Sequence, residues 1–274
     1  MCGQYLKLNE GKTKLLFFNK PPKRNDISSN HFDIAVCTSD VLEWDWSYEK
    51  VVESLGLQLD PYCKMEKQVG NIKKYCYGQL IGWRRIAPSL TEDVRILLVQ
   101  QILLSKIDYN NALLAGLPNN LIESLQCIIN SCIRFIYGVR WRDHITPYIL
   151  KSHILPVKYR IEYKICITVY NCLFGLAPRY LQDLLIWNLP TRDALPNSSV
   201  TQVPRATQDP LLLTIPVDFG SRTRYRARSF SHFAPRAWNK LPFALRACQS
   251  RDTFKAQLKT ALFQRYLDDN GLSS

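Results

Sequence analysis

Arginine occupies every second position in one short stretch near the end of this 274-residue chain. The stretch SRTRYRARSFSHFAPRAWNK, residues 221–240, has no acidic residue and contains six basic ones: Arg222, Arg224, Arg226, Arg228, Arg236 and Lys240. Guanidinium groups bind phosphate in bidentate geometry, and aromatic rings stack on bases, so this composition predicts contact with nucleic acid. The alternative interpretation is a strand whose alternating arginines form a solvated face.

A second group of basic residues lies on a predicted helix. Arg84 and Arg85 follow Trp83, and Lys73 and Lys74 come about three turns earlier. This face is also a candidate for binding phosphate, although an ordinary solvated helix surface has the same composition. The formal charge of the whole chain is +13, which favours an anionic partner such as nucleic acid.

The chain offers no other pattern that predicts catalysis or metal binding. Its nine cysteines are scattered without a C-x-x-C pair, and its four histidines lie far apart, so we expect free thiols in a reducing compartment and no metal site. It has no glycine loop for phosphate and no G-x-S-x-G motif. With neither a signal peptide nor a long apolar run, we expect an intracellular protein of the nucleus or cytoplasm, without membrane contact.

Hydropathy and turn residues divide the chain into four segments. Residues 1–62 contain short strand patterns, and residues 63–187 change to helical periodicity. Residues 188–218 are rich in proline and predict a connecting segment, and residues 219–274 form a small basic module. We therefore predict an α+β fold that is predominantly helical.

Several helices are predicted with defined ends. The first runs over residues 65–86, and a capping box at Ser89–Glu92 opens the second. A third begins near Asn120 and ends at Gly138, and a fourth covers residues 157–174. In the C-terminal module, a helix capped by Ser250 buries an apolar stripe: Phe254, Leu258 and Leu262.

Several long motifs, in order, resemble one known family. YLKLNEGKTKLLFF is similar to the end of the palm subdomain in reverse transcriptases of non-LTR, LINE-type retrotransposons, especially Jockey-like elements. ESLGLQLD resembles their primer-grip region, and SKIDYNNALLAGLP, LQCIINSCIRFIYG and HITPYILKSHILPVKYRIEYKI resemble the thumb and the region after it. GLAPRYLQDLL and FAPRAWNKLPFALR resemble the C-terminal signature. The resemblance implies a palm remnant at residues 1–62 and a thumb-like helical bundle at residues 63–187.

The resemblance also implies roles for individual residues. Lys12, beside Thr13, would lie near the incoming nucleotide, and the Leu55-Gly56 turn would belong to the primer grip. The metal-binding aspartates of the family precede this part of the polymerase. We therefore expect no catalytic residue and no cofactor here, since Mg²⁺ serves only the full-length enzyme.

One pair of aspartates imitates the catalytic signature of that family. Tyr266-Leu267-Asp268-Asp269 matches the Tyr-x-Asp-Asp pattern, which in those enzymes lies in a tight turn between two strands. Here it ends an amphipathic helix close to the last residue. We interpret it as a chance match.

These observations predict a non-catalytic C-terminal fragment of an RNA-directed DNA polymerase that retains surfaces for an RNA or DNA primer-template. The alternative is a helical interaction or structural fragment without nucleic-acid function, which would associate with itself through an exposed sheet edge. A third hypothesis is that Lys12 completes an active site with palm and fingers supplied by another chain.

Overall fold

A computed structural model describes residues 51–187, 211–216 and 227–272 of the protein. These residues are mostly helical and include one two-stranded sheet, which confirms the predicted α+β, predominantly helical class. They divide into two compact units that meet in sequence between residues 71 and 72. Each unit has its own architecture.

The first unit contains a β-hairpin. Strands β1 (Val52–Ser54) and β2 (Leu57–Leu59) pair in antiparallel fashion. The two turn residues both have positive φ, 49° at Leu55 and 75° at Gly56, as two-residue hairpin turns that match strand twist require. The Asp60 carboxylate then accepts two backbone N–H groups, from Lys64 and Met65, at 2.8 and 2.9 Å. These bonds turn the chain into its first helix.

The second unit is built from helices. The first helix, α1 (Glu66–Ile86), crosses the boundary between the units. The long helices that follow it are α2 (Glu92–Leu98), which continues through a π-helical segment (Val99–Leu104) into α3 (Ser105–Asp108), then α4 (Asn119–Tyr137) and α6 (Val157–Leu173). The shorter ones are α5 (Thr146–Ser152) and α7 (Arg179–Gln182). The C-terminal helices are α8 (Phe230–Asn239), α9 (Phe243–Arg246) and α10 (Arg251–Asp269).

Helix α4 provides the main apolar stripe of this unit. Its inward side chains recur at helical spacing and are fully buried: Leu125, Ile128, Ile129, Cys132, Ile133 and Ile136. They pack against α2 with its π-helical extension, and against α5 and α6. Because burying one such side chain contributes about 1.5–3 kcal/mol, this stripe explains why α4 forms here.

Helix α6 connects the helical region before residue 187 to the C-terminal module, because it contacts α4, α8 and α10. Its Tyr170 ring stacks on Phe254 of α10 with centroids 4.4 Å apart, and the Tyr170 hydroxyl donates to the Gln249 carbonyl at 2.8 Å. Nearer its start, Arg160 binds both carboxylate oxygens of Asp108. The predicted segments 63–187 and 219–274 therefore share core contacts through α6.

Segment 211–216 is held on α8 by side chains of that helix. The Trp238 indole donates to the Leu211 carbonyl at 2.9 Å. The Asn239 side chain accepts from the Leu213 N–H at 2.9 Å and donates to the Leu213 carbonyl at 2.8 Å. The same segment also forms an antiparallel bridge with Trp187, and the Thr214 N–H donates to the Ile186 carbonyl at 2.8 Å.

The structure corrects the predicted capping of three helices. Thr91, not Ser89, caps α2, because its hydroxyl accepts from the Val94 N–H, while Ser89 ends a preceding 3₁₀ turn. Helix α4 begins at Asn119, where Pro118 sets an extended entry without a side-chain cap. Ser250 does precede α10, but its hydroxyl makes no capping bond. Local capping residues compete with one another, so the hydrophobic pattern fixes a helix better than it fixes its first residue.

Two further expectations concern thiols and membranes. These described cysteines are free thiols: Cys76, Cys127, Cys132, Cys166, Cys172 and Cys248. No helix within the described ranges has both the length and the apolar character needed to cross a bilayer.

Candidate nucleic-acid interface

The C-terminal end of α4 is a meeting point for basic side chains. Gly138 ends the helix in the left-handed conformation, with φ of 66°, as predicted, and its N–H donates to the Arg134 carbonyl. The last carbonyls of a helix carry partial negative charge, which attracts cations. Arg95 of α2 satisfies one of them, because its Nη1 donates to the Phe135 carbonyl at 3.3 Å.

Arg134 organises the loop that follows α4. Its guanidinium donates to the carbonyls of Arg140, Trp141 and Asp143 at 3.3–3.4 Å. The same group lies over the Trp141 ring, with 5.0 Å between the guanidinium carbon and the ring centroid. The loop closes on itself through the Arg140 N–H, which donates to the Asp143 carboxylate at 3.2 Å. One arginine therefore fixes both the backbone of the loop and the orientation of its tryptophan.

Trp141 is held in place and yet exposed. About four fifths of its surface, 78%, is accessible to solvent, more than for any other tryptophan among the described residues. Arg134 covers one face of the indole, and no other ring contacts it in the described part of the chain. Exposed arginines flank it on both sides in sequence, Arg140 and Arg142.

The end of α1 lies beside the same helix end. The Trp83 ring contacts Phe135 of α4, with centroids 5.8 Å apart. Burial and the neighbouring Cys76 raise the pKa of the Cys132 thiol, and the charge of Arg84 acts in the opposite direction, so Arg84 lies near α4. Arg84 and Arg85 are both exposed in the last turn of α1.

Lys151 of α5 completes this group. Its ammonium lies over the Tyr137 ring, 4.4 Å from the centroid, and it pairs with Glu92 at 3.0 Å. Burial and the Glu92 charge raise the pKa of Tyr137, and Lys151 opposes them. This cation is therefore already compensated by a carboxylate and a ring.

We call this group the α4 basic end, and it consists of seven residues: Arg84, Arg85, Arg95, Arg134, Arg140, Arg142 and Lys151. Arg95, Arg134 and Lys151 are used in contacts within the protein. No described carboxylate forms a salt bridge with the other four, which are all exposed: Arg84, Arg85, Arg140 and Arg142. Arg84 and Arg85 come from the last turn of α1, and Arg140 and Arg142 come from the loop after α4. Four exposed guanidinium groups of this kind are suited to phosphate.

The arginine-rich stretch divides differently. Arg222, Arg224 and Arg226 lie outside the described residues. Arg228 is half-buried, and its guanidinium donates to the carbonyls of Ala115 and Leu113 at 3.0 and 3.3 Å. The structure thus gives Arg228 an internal contact, whereas its predicted role toward nucleic acid stays a prediction.

The remaining predicted site residues lie far from the α4 basic end in sequence. Arg236 lies on α8 and Lys240 directly follows it, and both are exposed. Leu55 and Gly56 form the hairpin turn, where Leu55 is 85% exposed. Lys12 and Thr13 lie outside the described residues. Among the predicted site residues, Arg84 and Arg85 are therefore the members of the α4 basic end.

The Trp141 loop is not among the predicted sites. Its signal is the stretch VRWRDH, in which basic and aromatic residues alternate directly after the glycine that ends a helix. Nothing in that stretch shows that Arg134, seven residues earlier, holds the tryptophan.

The paired aspartates at the end of α10 have structural partners. Asp269 accepts from the Tyr159 hydroxyl at 2.5 Å and from Lys158 at 3.4 Å. The bond from Tyr159, followed by the charge of Lys158, lowers the pKa of Asp269. Both aspartates lie in a helix, not in a turn between strands. Across the described ranges, no group of three or more histidine, cysteine, aspartate or glutamate side chains is arranged to hold a metal ion.

Comparison with protein-family models, with curated proteins and with solved structures finds no match to this chain.

Proposed function

We propose that this protein binds nucleic acid, as the thumb and C-terminal region of a non-LTR retrotransposon type of reverse transcriptase would hold a primer-template. The observation that carries the proposal is the α4 basic end. Four helices and a loop converge there, and four exposed guanidinium groups lack a described carboxylate partner. The net charge of +13 supports the same partner class, because it draws polyanions to the surface.

The geometry favours phosphate contacts over base recognition at this surface. Arg84 and Arg85 extend from a helix end, and neither side chain forms a hydrogen bond or ion pair with a described residue that would fix its direction. Long, adjustable side chains of this kind neutralise phosphates and position a strand, but they do not read sequence. We therefore propose binding with little sequence preference. In this proposal the protein holds nucleic acid and does not polymerise it alone.

The test is fluorescence anisotropy with a labelled primer-template across a salt series. Each duplex phosphate that the protein neutralises contributes roughly 0.9 to the slope of log affinity against log salt. The double variant Arg84→Gln, Arg85→Gln should lower that slope by roughly 1.8. The matched control is Arg179→Gln, Arg251→Gln, which removes two exposed arginines from other helices and should leave the slope nearly unchanged.

The arginine-rich stretch is tested separately. The variant carries glutamine at positions 222, 224 and 226, and Arg228 is left unchanged because its guanidinium binds backbone carbonyls. A reduced slope would assign this stretch to the same surface. If the unmodified chain binds neither duplex, hybrid nor single strands at low salt, the proposal is wrong, and the alternative of a helical interaction fragment takes its place.

A further inference from the structure

We infer that Trp141 is a stacking platform for an unpaired base, and that the α4 basic end therefore binds single-stranded nucleic acid in preference to duplex. This inference rests on the proposed function, because it names the form of nucleic acid that the same surface takes. Trp141 is a large apolar side chain that packing in the core does not account for. An indole that is 78% exposed contributes little burial to folding.

The ring is preorganised for such contact. Arg134 fixes one face through a cation–π contact at 5.0 Å, and it fixes the backbone on both sides through carbonyl bonds at 3.3–3.4 Å. A side chain that is ordered before binding loses less entropy when a partner arrives. The opposite face of the indole is the surface that remains for a partner.

The residues next to the ring are suited to the phosphates of a single strand. Arg140 and Arg142 are exposed on either side of Trp141, so a strand that stacks one base on the ring would place its phosphates near two guanidinium groups. Proteins that bind single strands combine stacking aromatic side chains with a basic surface in this way. A base pair inside a duplex is covered by its neighbours on both faces, so the tryptophan would contribute little to duplex binding.

The experiment compares a labelled thymidine strand, roughly twelve nucleotides long and so within the site size of a single-strand-binding module, with a duplex of the same length. Trp141→Ala should weaken binding of the single strand about 5- to 150-fold, the range for loss of one stacked base. Its effect on the duplex should be within about twofold, and the salt slope should not change, because no charge is removed. Trp141→Phe should keep most of the single-strand affinity.

Tyr180→Ala is the matched control. Tyr180 is also an exposed aromatic residue, 69% accessible, and it follows Arg179, but it lies on α7 and has no described ring contact. Its removal should leave both affinities unchanged. A second readout needs no affinity change: the strand should quench part of the tryptophan fluorescence of the unmodified protein, and Trp141→Phe should abolish that part.

The outcomes separate the inference from the proposed function. If the unmodified protein binds neither ligand, the proposed function fails and the inference fails with it. If it binds both, and Trp141→Ala changes neither the single-strand affinity nor the quenching, only the stacking inference is overturned. An equal loss for single strand and duplex would also overturn it, since stacking acts on the unpaired base alone. A thermal unfolding curve like that of the unmodified protein verifies that Trp141→Ala is folded.

Discussion

Gly116 has a positive φ of 65°, and the stem of Arg228 lies directly over it. A Cβ added at Gly116 would come 2.7 Å from the Arg228 Cγ, closer than real side chains approach one another. From that position, the Arg228 guanidinium reaches the carbonyls of Leu113 and Ala115. The glycine is thus required for two reasons, backbone conformation and close approach of the arginine.

Gly116→Ala should destabilise the protein by about 2 to 3 kcal/mol, as left-handed strain and overpacking act together. Gly175→Ala is the control, because Gly175 has a similar φ of 70° with no atom within 4 Å of its added Cβ. It should cost about 1 kcal/mol, from strain alone. Urea denaturation measures both. Equal costs would show that the Arg228 stem moves aside freely.

Helices α6 and α10 run antiparallel and are joined at both ends. Near the start of α10, Phe254 stacks on Tyr170, and at its end Asp269 accepts from Tyr159. Between these points, Arg265 of α10 pairs with the nearly buried Glu162 at 3.0 Å. The aromatic end is buried, whereas the Asp269 end is partly exposed to solvent. Of the two ends, only the Asp269 end should therefore contribute a stability that depends strongly on pH.

Asp269→Asn should destabilise the protein by about 0.5 to 1 kcal/mol at pH 7, a small value because Asp269 is partly exposed. The pKa of Asp269 is lowered in the folded state, so its contribution is present above about pH 4 and is lost as pH falls through the lowered value. The difference between variant and unmodified protein should therefore disappear once the pH lies below the lowered pKa of Asp269. Thermal unfolding across this pH range measures it.

Asp268→Asn is the control for this pH series. Both substitutions remove one negative charge from the same helix end, so both relieve the same repulsion from the helix dipole. Asp269 has the bonds from Tyr159 and Lys158, whereas Asp268 accepts from the Gln264 side chain at 3.1 Å. If the two variants show the same stability at every pH, the Tyr159 bond contributes no more than the contacts of Asp268.

How far these elements could be predicted depends on what specifies them. Helices α1, α4, α6 and α10 follow from apolar side chains at helical spacing, and the structure has them close to the predicted bounds. Helix α8 escapes prediction because Pro235 interrupts the pattern, although the helix forms around it. Contacts such as Tyr159 with Asp269 join residues 110 positions apart, and no local pattern contains them.

For the candidate site, too, local patterns could be predicted from the sequence and long-range contacts could not. Charge and composition predict a basic protein with arginines on α1, and the structure places Arg84 and Arg85 there in exposed positions. The α4 basic end itself could not be predicted, because it depends on packing between α1, α2, α4 and α5. Periodicity predicts which residues lie outside the core, but tertiary contacts decide which of these surface residues become neighbours.

The reactivity of the cysteines shows whether that packed core unfolds cooperatively. Four thiols lie in the core of the second unit, on α1, α4 and α6: Cys76, Cys132, Cys166 and Cys172. Burial raises the pKa of Cys76 to about 11 and that of Cys166 to about 12, and it raises the pKa of the other two as well. Because the thiolate is the reactive form, these residues should be doubly protected near neutral pH, by exclusion and by protonation.

Cys127 should therefore react with a thiol reagent at once in native buffer, because it is exposed on the outer side of α4, while the four core thiols stay silent. As urea increases, the four should become reactive together, since α4 packs on α6 and the Trp83 ring of α1 contacts Phe135 of α4. Peptide mapping by mass spectrometry assigns each label, so cysteines elsewhere in the chain do not interfere. Labelling of Cys166 and Cys172 before Cys76 and Cys132 would show instead that α6 leaves the core as an independent element.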